Sequence, residues 1–121
     1  MRAYKMASKT DDEKAARSAA VQASLRGATE VPLATMRLFE RLYAQAAAII
    51  PAAKKTVVSD AAIAVLLTDA GMRAAHFNVR INLKHLKDDT FCSQTKREVK
   101  ALLAGKKERR RELVLQAKEM I

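Results

Sequence analysis

Two asparagines four residues apart, Asn78 and Asn82, are the side chains of this sequence that most directly suggest chemistry. Residues at this spacing share a helix face, and Gly71, Ala74 and Ala75 lie on or near the same face. A buried amide without a partner costs about 1–3 kcal/mol. The pair therefore either binds a ligand that presents several donors and acceptors, or ties its helix to a neighbouring helix or to a second copy of the chain. The sequence leaves both alternatives open.

Three further polar residues are candidates for ligand binding. Ser59 and Asp60 stand next to each other, and a serine followed by an acid is also the usual cap of a helix, so this pair has a purely structural interpretation as well. Arg80 lies between the two asparagines. Its guanidinium can hold a carboxylate through two parallel hydrogen bonds, or it can form an ordinary surface ion pair.

The remaining reactive residue types predict no metal site and no nucleophile. His76 and His85 are nine residues apart and do not share a helix face. Cys92 is the single cysteine, which excludes a disulfide or a cysteine zinc site within one chain and favours a reducing compartment. A general base needs a cleft and a raised pKa, and no pattern around Asp69 indicates either, so we expect Asp69 to be exposed or ion-paired.

Positive charge is the strongest feature of the composition. The formal net charge is +10, and five of the six residues at 106–111 are basic. Such a charge suits an anionic partner. The 106–111 run is typical of a solvated helix face. Nucleic acid stays open as a partner, although no helix-turn-helix, zinc finger or aromatic stacking set accompanies the basic run.

Helical periodicity predicts two helices in the first half of the chain. Thr10 and Glu13 form a capping box, which starts a helix at about residue 11 that we expect to end near residue 26, before Gly27. The residue before a proline disfavours helical geometry, so Pro32 predicts a break, a kink or a new helix start. Apolar residues then recur at three- and four-residue steps up to Pro51.

Two more helices are predicted in the second half. After a connection at residues 51–58, Ser59 is expected to cap a helix that continues to about Ile81. One last helix begins at residues 88–90 and runs to about residue 117, with the charged run inside it. No segment alternates at the period of a strand.

Composition agrees with a single all-α domain over residues 1–121. The chain is 50% hydrophobic and only 4% aromatic, with three glycines and two prolines, which favours closely packed helices of about four in number. The longest apolar stretch, residues 61–67, is far short of the roughly 20 residues that span a bilayer, so no membrane segment is expected. We expect a cytoplasmic protein, with an organelle still open.

Four segments together resemble a known family. They are EKAARSAAVQ at residues 13–22, ATEVPL at 28–33, VSDA at 58–61 and NVRINL at 78–83. In this order and spacing they are similar to the cyclodeaminase domain of formiminotransferase-cyclodeaminase and to methenyltetrahydrofolate cyclohydrolases. The resemblance covers nearly the whole chain. It departs from the family at Ala7-Ser8, where relatives have Pro-Lys, and at Ala53-Lys54, where they have Gly-Asn.

The resemblance implies a helical folate domain of which this chain carries the C-terminal part. The family's N-terminal half, with its Gly-rich segment and the Asp assigned as acid/base, has no counterpart here, so no catalytic residue is transferred. The resemblance implies a tetrahydrofolate derivative as substrate, with no metal, and polyglutamate folate as ligand. It implies Ser59, Asp60, Asn78, Arg80 and Asn82 as candidate binding residues. A homo-oligomer, or a partner chain that supplies the missing half, is expected to complete the bundle.

Two classes of function follow from these features. The first is enzymatic one-carbon chemistry on folate, as cyclodeaminase or cyclohydrolase, which the resemblance favours. The alternative is a non-catalytic helical descendant that serves as a binding or structural subunit of a larger assembly, in which RNA or another anion is the partner.

Overall fold

Four α-helices and two short 3-10 turns make up the computed structural model, which describes residues 2–121. The helices are α1 (Asp11–Ile49), α2 (Lys55–Leu83), α3 (Asp89–Leu103) and α4 (Lys106–Met120), and the 3-10 turns are Ala3–Lys5 and Ile50–Ala52. No strand occurs in these described residues. The all-α prediction is confirmed, but the chain is divided differently from the expectation, into two long and two short helices.

Two of the predicted helix starts are confirmed by their caps. The Thr10 hydroxyl accepts a hydrogen bond from the Glu13 N–H at 3.2 Å, and the Glu13 carboxylate accepts from the Thr10 N–H at 3.2 Å. At the start of α3, an Asp88 carboxylate oxygen accepts from the Phe91 N–H at 3.0 Å. Both caps satisfy N–H groups that a helix leaves without internal partners, and both depend only on residues three apart.

The predicted helix end near residue 26 is wrong, because α1 runs for 39 residues through Gly27 and Pro32. A proline inside a helix removes one N–H and crowds the carbonyl four residues earlier. Here that carbonyl belongs to Ala28, and a side chain of α2 supplies its missing donor. Thr29 and Leu33 beside the proline are buried. Tertiary contacts therefore keep the helix continuous where the local sequence favours an interruption.

The expected start of the next helix at Ser59 is also wrong. The helix α2 begins at Lys55, and Lys54 occupies the cap position without a side-chain hydrogen bond. Ser59 and Asp60 are exposed residues inside the helix, so the connection is shorter than the predicted 51–58. A 3-10 turn that contains Pro51 bridges α1 and α2, and it lets the two long helices fold back on each other.

The single last helix is in fact two helices. Gly105 has φ +68°, a left-handed conformation that other residues rarely adopt, and it separates α3 from α4. The apolar positions on both sides of the break continue at helical spacing, so periodicity alone does not reveal the turn.

The long helices α1 and α2 pack antiparallel and form the central layer of the fold. Ala28 lies beside Asn82 and Phe39 lies over Gly71. On one face of this layer α4 buries Leu113 and Ala117, and α3 is joined to α1 by an ion pair between Arg37 and Glu98. The fully buried aliphatic side chains of the core are Leu33, Met36, Ile50, Val58, Val65, Met72, Val79 and Leu113.

The opposite face of the layer is apolar and uncovered. Its large exposed side chains are Val31, Leu38 and Leu42 on α1 and Ile63, Leu67, Phe77 and Ile81 on α2. Leu67 is 65% exposed and Phe77 is 70% exposed. An apolar surface of this kind usually marks an interaction site.

Close contact between α1 and α2 depends on the absence of a side chain at Gly71. A Cβ there would lie 2.5 Å from the Cζ atom of Phe39, well inside van der Waals contact. The Phe39 ring thus packs directly against the backbone of α2 at Gly71. Helix propensity alone disfavours a glycine at this position by about 1 kcal/mol relative to alanine, and the packing outweighs it.

We expect Gly71→Ala to lower the free energy of unfolding by about 1–3 kcal/mol, because the Phe39 ring must move. The matched control is Gly27→Ala. Gly27 also lies inside a helix, but a Cβ there meets nothing within 4 Å, so this change should raise stability by about 1 kcal/mol. Urea unfolding followed by circular dichroism measures both. Equal stabilisation by the two alanines would contradict the proposed contact.

Candidate functional site

A groove between α1 and α2 holds both predicted asparagines. It has a volume of about 590 Å³ and opens on the uncovered face of the layer. Asn78 and Asn82 line it from α2, opposite Thr35 and Phe39 of α1, and Val31 forms an apolar edge. Volumes of this size are typical of small-ligand sites. The helical spacing correctly placed the two amides on one face with Gly71 and Ala74.

Asn82 has a structural partner in this groove. Its Nδ2 donates to the Ala28 carbonyl at 3.0 Å, and this is the carbonyl that Pro32 cannot satisfy because proline lacks an N–H. The amide therefore replaces a backbone hydrogen bond of α1. This accounts for both the continuous helix and the position of Asn82, and it leaves the oxygen and the second N–H of that amide for a ligand.

The Asn78 amide, unlike that of Asn82, is unpaired in the described chain. Its side chain is exposed to the groove, and it has no hydrogen-bond partner among residues 2–121. An amide offers two donors and an acceptor with two lone pairs. Asn78 is the polar side chain of the groove that is most available for recognition, with the Phe39 ring and Ile81 as apolar neighbours.

Ser59 and Asp60 lie far from the asparagines within one chain. Asp60 precedes Asn78 by 18 residues of the same helix, which corresponds to about 27 Å along the axis and to about five full turns. The two side chains therefore point to the same side of α2 from opposite ends. Within a single copy of the chain, Asp60 and Asn78 therefore cannot both contact one small ligand.

Arg80 is on another face of α2 from Asn78. It lines a second groove, between α2 and α3, together with His76, Lys84, Lys96 and Lys100. The structure thus separates the five predicted site residues into three places: the start of α2, the groove between α1 and α2, and the groove between α2 and α3. No motif in the sequence marks Lys84, Lys96 or Lys100. Their four-residue spacing within each helix, 80 and 84, then 96 and 100, is the signal that would have found this groove.

Asp69 is buried and ion-paired. It is 1% exposed, and one of its carboxylate oxygens accepts from Arg73 at 3.0 Å and from Arg110 of α4. Its other oxygen has no hydrogen-bond partner in the described chain. Burial, and then the Asp69 charge, raise the pKa of Tyr43. The ion pair meets the expectation that Asp69 is either exposed or ion-paired.

The basic run at the start of α4 attaches this helix to the layer below. Lys106 pairs with Glu40 at 3.2 Å and lies over the Tyr43 ring, and Arg110 pairs with Asp69. The expectation that the run forms a solvated face therefore holds only for part of it. Because these cations already have internal partners, the run offers less charge to phosphate groups than the sequence suggests.

Residues 2–121 contain no cluster of three or more histidine, cysteine, aspartate or glutamate side chains that could hold a metal ion. Cys92 is buried, with its Sγ 3.9 Å from the Leu83 carbonyl. Burial and the nearby charges of Arg80 and Arg73 lower the pKa of His76, so its imidazole is neutral at pH 7.

None of the helices described here is both long enough and apolar enough to cross a membrane.

Comparison with known proteins identifies the family. The model of the formiminotransferase-cyclodeaminase family matches residues 1–101, so all of α4 lies beyond the match. A methenyltetrahydrofolate cyclohydrolase from Methylorubrum extorquens is 41% identical over 104 residues, which cover 86% of this chain and 50% of that protein. The formimidoyltransferase-cyclodeaminase of Sus scrofa is 33% identical over 85% of this chain and 19% of its own length, and that of Gallus gallus is 30% identical over 89% and 20%.

The chain spans half the length of the cyclohydrolase and about a fifth of the two longer relatives. All these alignments include α1, α2 and α3 in large part, and with them the groove between α1 and α2. The chain belongs to the formiminotransferase-cyclodeaminase family.

Proposed function

We propose that this chain acts in folate one-carbon metabolism and binds a one-carbon derivative of tetrahydrofolate in the groove between α1 and α2. The observation that carries the proposal is the free Asn78 amide in a groove of ligand size, within a chain 41% identical to a methenyltetrahydrofolate cyclohydrolase. The reaction is either cyclisation of 5-formiminotetrahydrofolate with loss of ammonia or interconversion of 5,10-methenyl- and 10-formyltetrahydrofolate.

The groove matches the chemistry of a pterin ring. A pterin is flat, with a row of donors and acceptors along one edge. The Asn78 amide can pair with that edge, while Phe39 and Ile81 contact its apolar faces. In this proposal Asn82 contributes mainly through the backbone of α1, because its Nδ2 is already bonded to Ala28.

Either reaction needs a general acid/base close to the one-carbon bridge. No aspartate or glutamate lines the groove among the described residues, and Asp69 is held by two arginines on the other side of the layer. Asp60 is exposed and points to the same side of α2 as Asn78. It lies five turns away, so it reaches the groove only if a second copy of the chain brings it there.

The exposed face of α2 supports pairing with such a second copy. Its residues at 63, 67, 70, 74, 77 and 81, here called the α2 stripe, read Ile, Leu, Ala, Ala, Phe and Ile. The order is nearly symmetric about Met72, with large side chains at both ends and alanines in the middle. A surface of this kind complements itself when two helices cross antiparallel about a two-fold axis, and the central alanines permit close approach.

Antiparallel pairing about Met72 brings the separated motif residues together. Position 60 of one copy then lies opposite position 84 of the other, about 9 Å along the axis from Asn78 and about 3 Å from Asn82. Ser59 and Asp60 of a second copy would thus stand at the end of the groove. We propose that the site is shared between two copies, with Asn78 binding the pterin and Asp60 serving as acid/base.

We expect the wild-type chain to sediment as a homo-oligomer and the double variant Leu67→Lys/Phe77→Lys to sediment as a monomer, because both charges would be buried against the two-fold mate. The control is Leu115→Lys, a similarly exposed apolar position on α4, away from the α2 stripe. Analytical ultracentrifugation distinguishes the masses. An oligomer that survives the double substitution, or a monomeric wild type, would contradict pairing through the α2 stripe.

Calorimetric titration with 5-formyltetrahydrofolate tests the ligand. We expect saturable binding, weakened about tenfold or more by Asn78→Ala, since losing hydrogen bonds in a binding site costs about 1–3 kcal/mol. Gln94→Ala on α3, which removes an exposed amide outside the groove, should bind like the wild type. Absence of saturable binding, or equal affinity of all three proteins, would refute the site.

A further inference from the structure

The groove between α2 and α3 combines an apolar floor with a rim of positive charge. Its volume is about 730 Å³, larger than that of the groove that contains Asn78. Val79 and Leu83 of α2 and Val99 and Leu103 of α3 form the floor. Two aliphatic residues from each helix give a surface that suits a flat or linear apolar group.

The rim is built from cations alone. Arg80 and Lys84 stand on α2, Lys96 and Lys100 stand on α3, and no acidic residue lines the groove within residues 2–121. None of these four takes part in an ion pair in the described chain. His76 adds an imidazole at one end, which burial and neighbouring arginines keep neutral at pH 7.

The cations of this groove contrast with three others of the described chain that have acidic partners. Arg37 pairs with Glu98, Lys106 with Glu40, and Arg110 with Asp69. Four unpaired cations that flank one apolar floor repel one another, and an anion that binds among them relieves this repulsion. The low-dielectric floor also strengthens the attraction for a negative group held close to it.

We propose that this groove is a second binding site, which takes a small amphipathic dianion with an apolar body and a carboxylate or phosphate at each side. The body lies on the aliphatic floor. One anionic group pairs with Arg80 and Lys84 of α2, and the other pairs with Lys96 and Lys100 of α3. The occupant thereby bridges α2 and α3 above the buried contact between Cys92 and Leu83.

The site is independent of the folate proposal. Arg80 and Asn78 are two residues apart on α2 and therefore lie on nearly opposite faces. The occupant of this groove is a separate molecule from one bound to Asn78. An aromatic and an aliphatic dicarboxylate, each with its two acidic groups at opposite ends, share the required chemistry, and the choice of probes distinguishes them.

The test uses three probes and methyl NMR spectra of the full chain. Naphthalene-2,6-dicarboxylate represents the aromatic source and decanedioate represents the aliphatic source, while 1,10-decanediol is the uncharged control. We expect at least one dianion to shift the methyl signals of Val79, Leu83, Val99 and Leu103 in a saturable way, and the diol to leave them unchanged. The dianion that binds more tightly identifies the body that the floor prefers.

Paired variants locate the site. Lys96→Gln/Lys100→Gln should weaken the binding by about tenfold or more, since two charge-assisted contacts are lost. Lys55→Gln/Lys107→Gln, which removes two exposed lysines elsewhere, should leave the affinity within about twofold and thereby control for net charge. All four lysines are exposed, so both variants should fold, which circular dichroism checks. No binding of either dianion, equal loss in both variants, or shifts centred on Ile63 and Leu67 would overturn the proposal.

Discussion

Replacing Arg73 and Arg110 together by methionine is expected to lower the free energy of unfolding by about 3–5 kcal/mol. Asp69 is 1% exposed, and these two arginines are its only ionic partners in the described chain. Removing both leaves a buried carboxylate without compensation, which is among the costliest changes in a folded protein. Each single substitution should cost much less, because the other arginine remains. Guanidinium unfolding curves of the three variants measure this non-additivity.

Two further variants identify the buried charge as the cause. Asp69→Asn in the double-methionine background should recover much of the loss, because it removes the uncompensated charge and keeps the shape. Arg109→Met should change stability by less than about 0.5 kcal/mol, since its partner Glu112 is largely exposed. If the double variant loses no more free energy of unfolding than the two single variants lose together, Asp69 does not hold α4 through both arginines.

Removing the Asn82 amide is expected to cost about 1–3 kcal/mol, but only while Pro32 is present. In Asn82→Ala the Ala28 carbonyl loses its donor and is left unsatisfied. In a Pro32→Ala background the new backbone N–H at position 32 supplies a donor to that carbonyl, as in any helix. The same Asn82→Ala change should then cost less than about 0.5 kcal/mol. Thermal and urea unfolding of the four proteins complete the cycle.

Asn78→Ala is the matched control for this cycle. It removes the same amide from the same helix and groove, but Asn78 has no hydrogen-bond partner among residues 2–121, so stability should change by less than about 0.5 kcal/mol. If the stability effects of Asn82→Ala and Pro32→Ala are additive, Asn82 does not compensate for the N–H that Pro32 lacks. The pair of results would separate the structural role of Asn82 from the binding role proposed for Asn78.

Features that depend on residues close in sequence could be predicted, and features that depend on distant partners could not. The capping box at Thr10 and the side-chain cap at Asp88 involve residues three apart and were predicted. The continuity of α1 through Pro32 depends on an amide 54 residues away from the carbonyl it satisfies. The burial of Asp69 depends on an arginine 41 residues away on a helix beyond the family match.

The same distinction applies to the candidate site. The four-residue spacing placed Asn78 and Asn82 in one groove, but it gave no indication that only one of them is free. The family motif grouped Ser59 and Asp60 with the asparagines, whereas one continuous helix holds them about 27 Å apart. The sequence shows which residues belong to the motif, and the length of α2 shows that a second copy is needed if they act together.

The most direct test of a shared folate site is activity in a mixture of two inactive variants. Asp60→Asn and Asn78→Ala chains are purified separately, mixed under conditions that exchange subunits, and assayed by the loss of near-ultraviolet absorbance of 5,10-methenyltetrahydrofolate. We expect the wild type to exceed the buffer rate and each variant alone to fall to it. In the mixture one intact site forms in each heterodimer, so about a quarter of wild-type activity should return. No recovery, with a wild type that is active, would contradict a site shared between copies, and a wild type at the buffer rate would contradict turnover by this chain.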